Sequence, residues 1–221
     1  MTTDAQNWAE TTEQALLDEA LKLAPVHGWT RHTATLAGKA LGMSAGETEL
    51  LIPHGPADLA ALLSRRHDDR ALAALAEVHA SNLKIRERIR RAVEARLDAS
   101  ASDEPATRRW MGYLALPQNL ALGGRLAWES ADVLWRWAGD TATDENHYTK
   151  RALLAGILTG AMAVRTASGR KEALEFVDRR IENVMSFEKW KATTTFRPSQ
   201  CLNEVAERMS RARYGAAPPT G

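Results

Sequence analysis

Residues 138–151 carry more functional groups than a turn between two helices requires. The run AGDTATDENHYTKR joins a tryptophan-rich segment to an apolar one. Carboxylates and an imidazole at this density could bind a metal, perform acid–base catalysis or meet another molecule. We call residues 138–151 the corner, and its polar and titratable members are Asp140, Thr141, Thr143, Asp144, Asn146, His147, Tyr148, Lys150 and Arg151.

Metal binding is the first chemistry that the corner has to be tested for. Asp144 and His147 are three positions apart, so both could face one ligand from the start of a helix. Di-iron sites in helical bundles use Glu-x-x-His on two helices together with two further Glu, and no second copy of such a pair exists here. The remaining histidines lie in the first 80 residues at no ligand spacing: His27, His32, His54, His67 and His79. We predict no metal and no cofactor.

Catalysis at the corner has little support in the sequence. The chain contains no GxSxG elbow and no P-loop. The basic residues of the corner would neutralise its carboxylates, and Thr143 or Asp144 could cap the helix that follows. Charge neutralisation and helix capping leave Asn146, His147, Tyr148 and Lys150 without a structural role. Catalytic residues are predicted to be absent, with an enzyme that uses Asp144 and His147 as an alternative.

Composition limits the remaining possibilities. The 221 residues allow one large domain, or a domain with a small appendage. They are 44% hydrophobic and 26% charged, which is typical of a globular protein, and the net charge of +1 gives no basic field for nucleic acid. Cys201 is the single cysteine, so no disulfide can form within the chain, and a reducing compartment is expected.

The same reading predicts a protein that does not span a membrane. The start of the chain, MTTDAQNWAE, lacks the basic and apolar regions of a secretory signal. The longest uncharged apolar run, residues 152–164, has 13 residues, whereas a membrane-spanning helix needs about 20. We expect a soluble protein, or at most one that sits on a membrane surface.

The elements that must position the corner all read as helices. Gly and Pro mark the breaks, and no alternating run of β-branched residues favours a sheet. The fold class predicted is all-α, with about nine to ten helices. Helices are expected from Thr11 or Thr12 to Gly28, over 33–41, from Ser44 to Pro53, over 58–97, from Thr107, from about Gln118, from Asp144, from about Gly169, and from Ser199 to Arg213. Loops are expected at 99–106 and 193–198.

The first three helices resemble the helix-turn-helix of TetR-type repressors. In the segments GWT and LAGKALGMS, small, turn-forming and helix-capping residues occur at the positions where that motif has them. The third helix of the motif must meet phosphates and base edges. Here it reads SAGETELLIP, with Glu47 and Glu49 and no Lys or Arg, so it would repel a phosphate backbone. We predict a degenerate helix-turn-helix subdomain over 1–57 that binds no nucleic acid.

The runs RRAVEARL, YLALPQNL and WAGDTATDENHYTKRALLAG resemble the ubiquinone (coenzyme Q) biosynthesis accessory family called Coq nine, in its bacterial type. The resemblance covers roughly residues 10–190 and is densest over 93–159. It implies a TetR-like fold whose DNA-reading role is lost, no enzymatic activity, and lipid binding in a cavity of the C-terminal helical domain. It also implies association with a membrane, and presentation of isoprenoid quinone intermediates to the demethoxyubiquinone hydroxylase.

The resemblance assigns the corner to docking of that hydroxylase. Eukaryotic members carry Trp where this chain has His147, so the partner surface or the anchoring residues differ here. The residues predicted to dock the partner are Asp140, Thr143, Asp144, Asn146, His147, Tyr148 and Arg151.

A lipid-binding and dimerisation domain is predicted over 58–192. Its apolar side chains could line a tunnel for a prenyl chain or fill a solid core. Residues 152–164 are apolar all round, which predicts a buried helix; tight packing, a dimer face and a cavity wall are the alternatives. The candidate lining residues are Trp110, Leu114, Leu116, Leu126, Leu134, Leu154, Leu158 and Met162.

Residues 193–221 are predicted to form an amphipathic helix and a frayed tail. An apolar side and a basic side suit an anionic membrane surface, although Glu204 and Glu207 weaken that case and packing onto the core is equally compatible. The candidate membrane contacts are Trp190, Leu202, Val205, Arg208, Met209 and Arg211.

The resemblance and the residue patterns together predict a non-enzymatic, homodimeric accessory protein in the cytoplasm, peripheral on the inner face of the cytoplasmic membrane. Its ligand is predicted to be an isoprenoid quinone or a phospholipid, and its partner the hydroxylase or another ubiquinone-biosynthesis enzyme. The alternative is a TetR-like regulator that senses a hydrophobic ligand.

Overall fold

The computed structural model describes residues 2–140 and 145–193, with side chains described over 8–140 and 147–186. All regular secondary structure in these ranges is helical, which confirms the all-α prediction. The α-helices are α1 (Thr2–His27), α2 (Arg31–Ala40), α3 (Ala45–Leu51), α4 (Pro56–Ala74), α5 (Ile85–Ala101), α6 (Glu104–Leu114), α7 (Leu120–Trp137), α8 (Glu145–Ser168) and α9 (Arg170–Thr193). Short 3-10 helices cover Ala80–Asn82 and Pro117–Asn119.

The chain divides into two compact units, residues 1–178 and 179–221. The first unit contains α1 to α8 and the start of α9. Within the described residues, the second unit consists of the remaining helical turns of α9. The predicted boundary at 57/58 stays a prediction, and the predicted last helix from Ser199 lies outside the described residues.

The third helix begins where its sequence predicts. The Ser44 hydroxyl accepts a hydrogen bond from the Glu47 backbone N–H at 3.2 Å, and the Glu47 carboxylate accepts one from the Ser44 N–H at 2.8 Å. This capping box satisfies two backbone donors at the start of α3. The hydrogen bonds from Ser44 hold the pKa of the Glu47 carboxyl below its usual range. One of the two acids that disfavour DNA binding therefore has a structural purpose.

Three element predictions were wrong. The first helix begins at Thr2 and not at Thr11 or Thr12. The helix expected over 58–97 is interrupted, because α4 ends at Ala74 and α5 begins at Ile85, with Ala80–Asn82 between them. Ser81 and Asn82, residue types that favour turns, were the signal for this break. The loop expected over 99–106 is reduced to Ser102 and Asp103, between the ends of α5 and α6.

The core of the first unit contains a buried polar cluster as well as aliphatic side chains. Helix α4 packs against α5 and α7, and α7 packs against α8. Between α4 and α5, the Arg96 Nε donates to the Asp68 carboxylate at 2.5 Å, with both residues about 95% buried. The fully buried aliphatic residues of α4, α5 and α7 include Leu59, Leu63, Val93, Leu97, Leu126 and Leu134.

Helix α8 is buried on one side only, which corrects the prediction that residues 152–164 are buried all round. Leu154, Leu158 and Met162 are buried, whereas Leu153 is 42% exposed and Gly156 is exposed. Gly160 lies against α9, where an added Cβ would come within 2.7 Å of the Phe176 ring. Within the described residues, no helix combines the length and apolarity needed to cross a bilayer.

Candidate functional site

The corner begins at the C-terminus of α7. Gly139 has a φ of +87°, a conformation that residues with a side chain rarely adopt. The Asp140 N–H donates to the Trp135 carbonyl at 3.0 Å, and the Gly139 N–H to the Arg136 carbonyl at 3.0 Å, which together close the helix. The Arg88 guanidinium of α5 donates to the Ala138 carbonyl at 2.8 Å. These bonds fix the direction in which the chain leaves α7.

An ion-pair cluster then ties the corner to α8. Arg151 donates from Nε to the Asp132 carboxylate at 2.5 Å and from Nη1 to the Asp140 carboxylate at 3.0 Å. The Lys150 Nζ donates to the other Asp140 oxygen at 2.7 Å. Burial alone would raise the pKa of Asp140, but the hydrogen bonds from Lys150 and Arg151 hold it below its usual range. The carboxylate is thus kept ionised as a structural partner.

Two residues predicted to touch a partner are buried, and this corrects their assignment. The side chains of Asp140 and Arg151 are 6% and 2% exposed. A partner cannot reach them in this conformation, so they position the corner instead of contacting what docks there. Of the other predicted docking residues, Thr143 and Asp144 lie outside the described residues, as does the side chain of Asn146.

Among the described residues of the corner, Tyr148 presents an exposed aromatic side chain. Tyr148 is 65% exposed, and its ring stacks on Trp128 of α7 with centroids 6.1 Å apart and planes 29° from parallel. The His147 and Tyr148 rings form a T-shaped contact with centroids 5.2 Å apart. The Trp135 ring has the Lys150 Nζ 5.5 Å from its centroid and donates its N–H to the Lys150 carbonyl. We call Trp128, His147 and Tyr148 the aromatic face.

A second feature of the same unit is an apolar cavity of about 440 Å³ between α4, α5, α6, α7 and α8. Five of the predicted lining residues do line it: Trp110, Leu114, Leu126, Leu158 and Met162. The other three do not. Leu134 and Leu154 are buried outside the lining, where they pack as core residues, and Leu116 is 42% exposed at the surface. Whether the cavity binds lipid stays a prediction.

Sequence reasoning missed the polar end of this cavity. Ser64, Arg96 and Ser130 line it and are each at least 96% buried. The sequence did contain a sign that Arg96 is buried, because Arg96 shares the apolar face of α5 with Ile89 and Val93 at helical spacing. A charged residue on the apolar face of a helix must find a buried partner, and Asp68 is that partner here.

No group of three or more His, Cys, Asp or Glu positioned to hold a metal occurs among the described residues. The predicted membrane contacts from Leu202 to Arg211 lie outside those residues, and so does the side chain of Trp190.

Comparison with known proteins gives one consistent result. The family model described as COQ9 matches residues 120–188, which contain α7, the corner and α8. Curated relatives are named ubiquinone biosynthesis protein COQ9, mitochondrial. The protein from Rattus norvegicus is 30% identical over 188 residues, which cover 80% of this chain and 60% of the relative. The Homo sapiens protein is 28% identical over 80% of this chain and 58% of its own length. The chain thus spans about 60% of the length of the curated relatives it matches.

Proposed function

The chain belongs to the COQ9 family, and on this premise we propose that it is an accessory protein of ubiquinone biosynthesis that performs no chemistry itself. In this proposal it binds an isoprenoid quinone intermediate in the apolar cavity and delivers it to the demethoxyubiquinone hydroxylase, which docks at the corner. The observation that carries the proposal is the pairing of a cavity with an exposed aromatic face on the same two helices, α7 and α8.

The cavity supports ligand binding through its size and lining. Small-molecule sites typically enclose about 300–1,000 Å³ and are lined mainly by apolar side chains with a few polar groups. A volume of about 440 Å³ lies within that range, and the lining contains aliphatic, aromatic and methionine side chains around three buried polar residues. An isoprenoid chain requires such a lining, since it offers no polar atoms of its own.

The aromatic face supports docking. Tyrosine and tryptophan are enriched among the residues that dominate binding energy at protein interfaces. Trp128 supports the exposed Tyr148 ring from below, so Tyr148 loses little side-chain freedom when a partner covers it. The buried Arg151 cluster holds the start of α8 against α7, and thereby keeps the two rings in register.

Membrane association, a cytoplasmic location on the inner face of the membrane, and homodimer formation belong to the same proposal. The exposed apolar side of α8, with Leu153 and Gly156, supports contact with a second protein surface. The residues proposed to meet the membrane follow α9 in the sequence and are outside the described residues.

Docking is tested by replacing Tyr148 with alanine and titrating the hydroxylase in a pull-down or calorimetric assay. We expect Tyr148→Ala to weaken association by about 30-fold, the effect of losing roughly 2 kcal/mol at a central aromatic anchor. Trp8→Ala is the matched control, because Trp8 is 64% exposed on α1, nearly the exposure of Tyr148. Equal affinities of both variants and the parent protein would remove the corner from the docking site.

Ligand binding is tested separately by native mass spectrometry of the purified protein followed by lipid extraction. A bound isoprenoid quinone or phospholipid supports the carrier role. A protein that is ligand-free, and stays so after incubation with a short-chain quinone, refutes it and leaves a scaffold that organises the biosynthetic enzymes.

A further inference from the structure

The cavity has a polar inner end and an apolar mouth. Its buried lining residues include Ser64, Arg96 and Ser130, contributed by α4, α5 and α7. Ala115, Leu120, Gly124, Thr159 and Ala163 also line it and are exposed, which places the opening between the end of α6, the start of α7 and α8. A bound molecule therefore has one end beside polar groups in the interior and the other end near solvent.

Arg96, which lines the inner end, has a buried hydrogen-bond donor that no described residue accepts from. The Arg96 Nε donates to one Asp68 oxygen at 2.5 Å, and the Ser130 hydroxyl donates to the other at 2.9 Å. The Arg96 Nη1 is buried and has no hydrogen-bond partner among the described residues. A buried donor without an acceptor costs roughly 1–3 kcal/mol, more when it is charged. A ligand atom that accepts from it would recover that cost.

The charges around Arg96 select the kind of acceptor. Burial raises the pKa of the Asp68 carboxyl above its usual range, against the opposing effects of Arg96 and of the Ser130 hydrogen bond. The guanidinium already has this carboxyl as its ion-pair partner, at 2.5 Å. Burial also lowers the pKa of the nearby His67 to about 4, so this ring is uncharged at neutral pH. Asp103 is paired with Arg70. A carboxylate or phosphate here would add an uncompensated buried charge, and a neutral carbonyl oxygen would not.

We propose that the cavity binds its ligand with the head group inward, and that a neutral oxygen of a quinone-type ring accepts a hydrogen bond from Arg96 while the apolar tail extends to the mouth. This inference rests on the proposed function, because it specifies the ligand and its orientation in the same cavity. It has one mechanistic consequence: the ring is shielded while bound, so the hydroxylase receives the quinone by release and not by reaction in place.

The test measures binding of three probes that share a ten-carbon chain and differ in the head: a benzoquinone, a benzene ring and a carboxylate. Each displaces an uncharged fluorescent apolar dye from the full-length protein. Arg96→Lys keeps a positive charge beside Asp68 but lacks the second guanidinium nitrogen. The double variant Asp68→Leu with Arg96→Met removes the pair together, since apolar replacement of both partners avoids an isolated buried charge. Arg66→Lys is the control, because this arginine of α4 has a side chain only 12% exposed, pairs with Asp18 and lines no part of the cavity.

We expect the quinone probe to bind the parent protein more tightly than the carboxylate probe. In both Arg96 variants its affinity should fall about 10-fold or more, as for loss of a hydrogen bond to a charged donor. The benzene probe should change by less than about twofold, since it makes no such bond. All three affinities should be unchanged in Arg66→Lys.

Three results would overturn the inference. If the quinone and benzene probes weaken equally in the Arg96 variants, the head group is not bound there, although the cavity still binds ligand. A carboxylate probe that binds most tightly would show that the inner end selects an anion. If the parent protein binds none of the probes, the carrier function fails together with the inference.

Discussion

Replacing His67 should remove most of the sensitivity of this fold to mild acid. The His67 ring is fully buried on α4, and its Nδ1 has no hydrogen-bond partner among the described residues. Its Nε2 lies 3.3 Å from the Asp103 carboxylate, and the Trp110 ring meets it edge-on at 6.4 Å. Arg96 and Arg70 add positive charge nearby. Burial dominates these influences and lowers the pKa of His67 from 6.5 to about 4.

The lowered pKa of His67 determines the direction and the size of the change in the free energy of unfolding with pH. Between pH 6.5 and 4 the unfolded chain binds a proton at His67 and the folded chain does not, so protonation stabilises the unfolded state. The stability contributed by the neutral ring is complete above pH 6.5 and is lost as the pH falls towards 4. A difference of roughly 2.5 pH units corresponds to about 3.4 kcal/mol, of which about 2.5 kcal/mol is lost between pH 7.5 and 4.5.

Asp103 affects the free energy of unfolding at lower pH than His67 does. Hydrogen bonds from His67 and Arg70 lower its pKa to about 2 against the opposing effect of burial. Its contribution is complete above its unfolded value near 4 and is lost only below that, as the pH falls towards 2. Asp103 therefore contributes little to the change in stability between pH 6.5 and 4.5.

The assay is urea unfolding followed by far-ultraviolet circular dichroism at several pH values from 7.5 to 4.5. We expect the free energy of unfolding of the parent protein to fall by about 2.5 kcal/mol more than that of His67→Gln over this range. His79→Gln is the matched control, because its exposed ring contributes nothing to the buried network, and it should keep the parent's acid limb.

Parallel curves for the parent protein and His67→Gln would refute the argument. If His67→Gln does not fold, the parent protein still provides the test through the ring proton resonances of His67. A midpoint near pH 6.5 in the folded state would show that burial does not disfavour the charged ring.

Two further changes separate packing from charge. Gly38→Ala should lower the free energy of unfolding, measured in urea titrations, by about 1–3 kcal/mol, because the new Cβ would lie 2.1 Å from the Thr48 hydroxyl oxygen where α2 meets α3. Gly112→Ala is the control, since its Cβ would meet open space, and it should be neutral or stabilising in the same titrations. Arg151→Ala should cost about 1.5–3 kcal/mol in urea titrations, since it removes the charge-assisted hydrogen bonds to Asp132 and Asp140 and leaves Asp140 with Lys150 alone. An effect below about 1 kcal/mol would mean that the corner is not held by this ion pair.

The sequence predicted those elements whose ends carry local signals. Ser44 marks the start of α3, where its side chain caps the helix, and Gly28 marks the end of α1, where the backbone has a φ of +69°. The break between α4 and α5 has no Gly or Pro, so a continuous helix was predicted there. The TetR-repressor-like arrangement stays a prediction, since helix limits alone do not specify how helices pack.

The sequence was enough to predict where the candidate site lies, but not which of its residues are buried and which are exposed. A dense polar run identified the corner, yet sequence could not separate Arg151, which is buried, from Tyr148, which is exposed, because both lie within one turn of α8. Likewise, hydrophobicity identified Leu134 and Leu126 equally well, and only three-dimensional packing decides that Leu126 lines the cavity and Leu134 does not. Burial depends on the neighbouring helices, which are distant in sequence.

The cavity and the corner are built from adjacent positions of the same two helices. On α7, Ser130 lines the cavity and Asp132 pairs with Arg151. On α8, Arg151 holds the corner and Leu158, two turns later, lines the cavity. Close-packed helices move as rigid elements, so a partner that shifted α8 against α7 at the aromatic face would also change the width of the cavity. Under the proposed function, docking and ligand release would share one helix pair, so no separate signal would be needed to connect them.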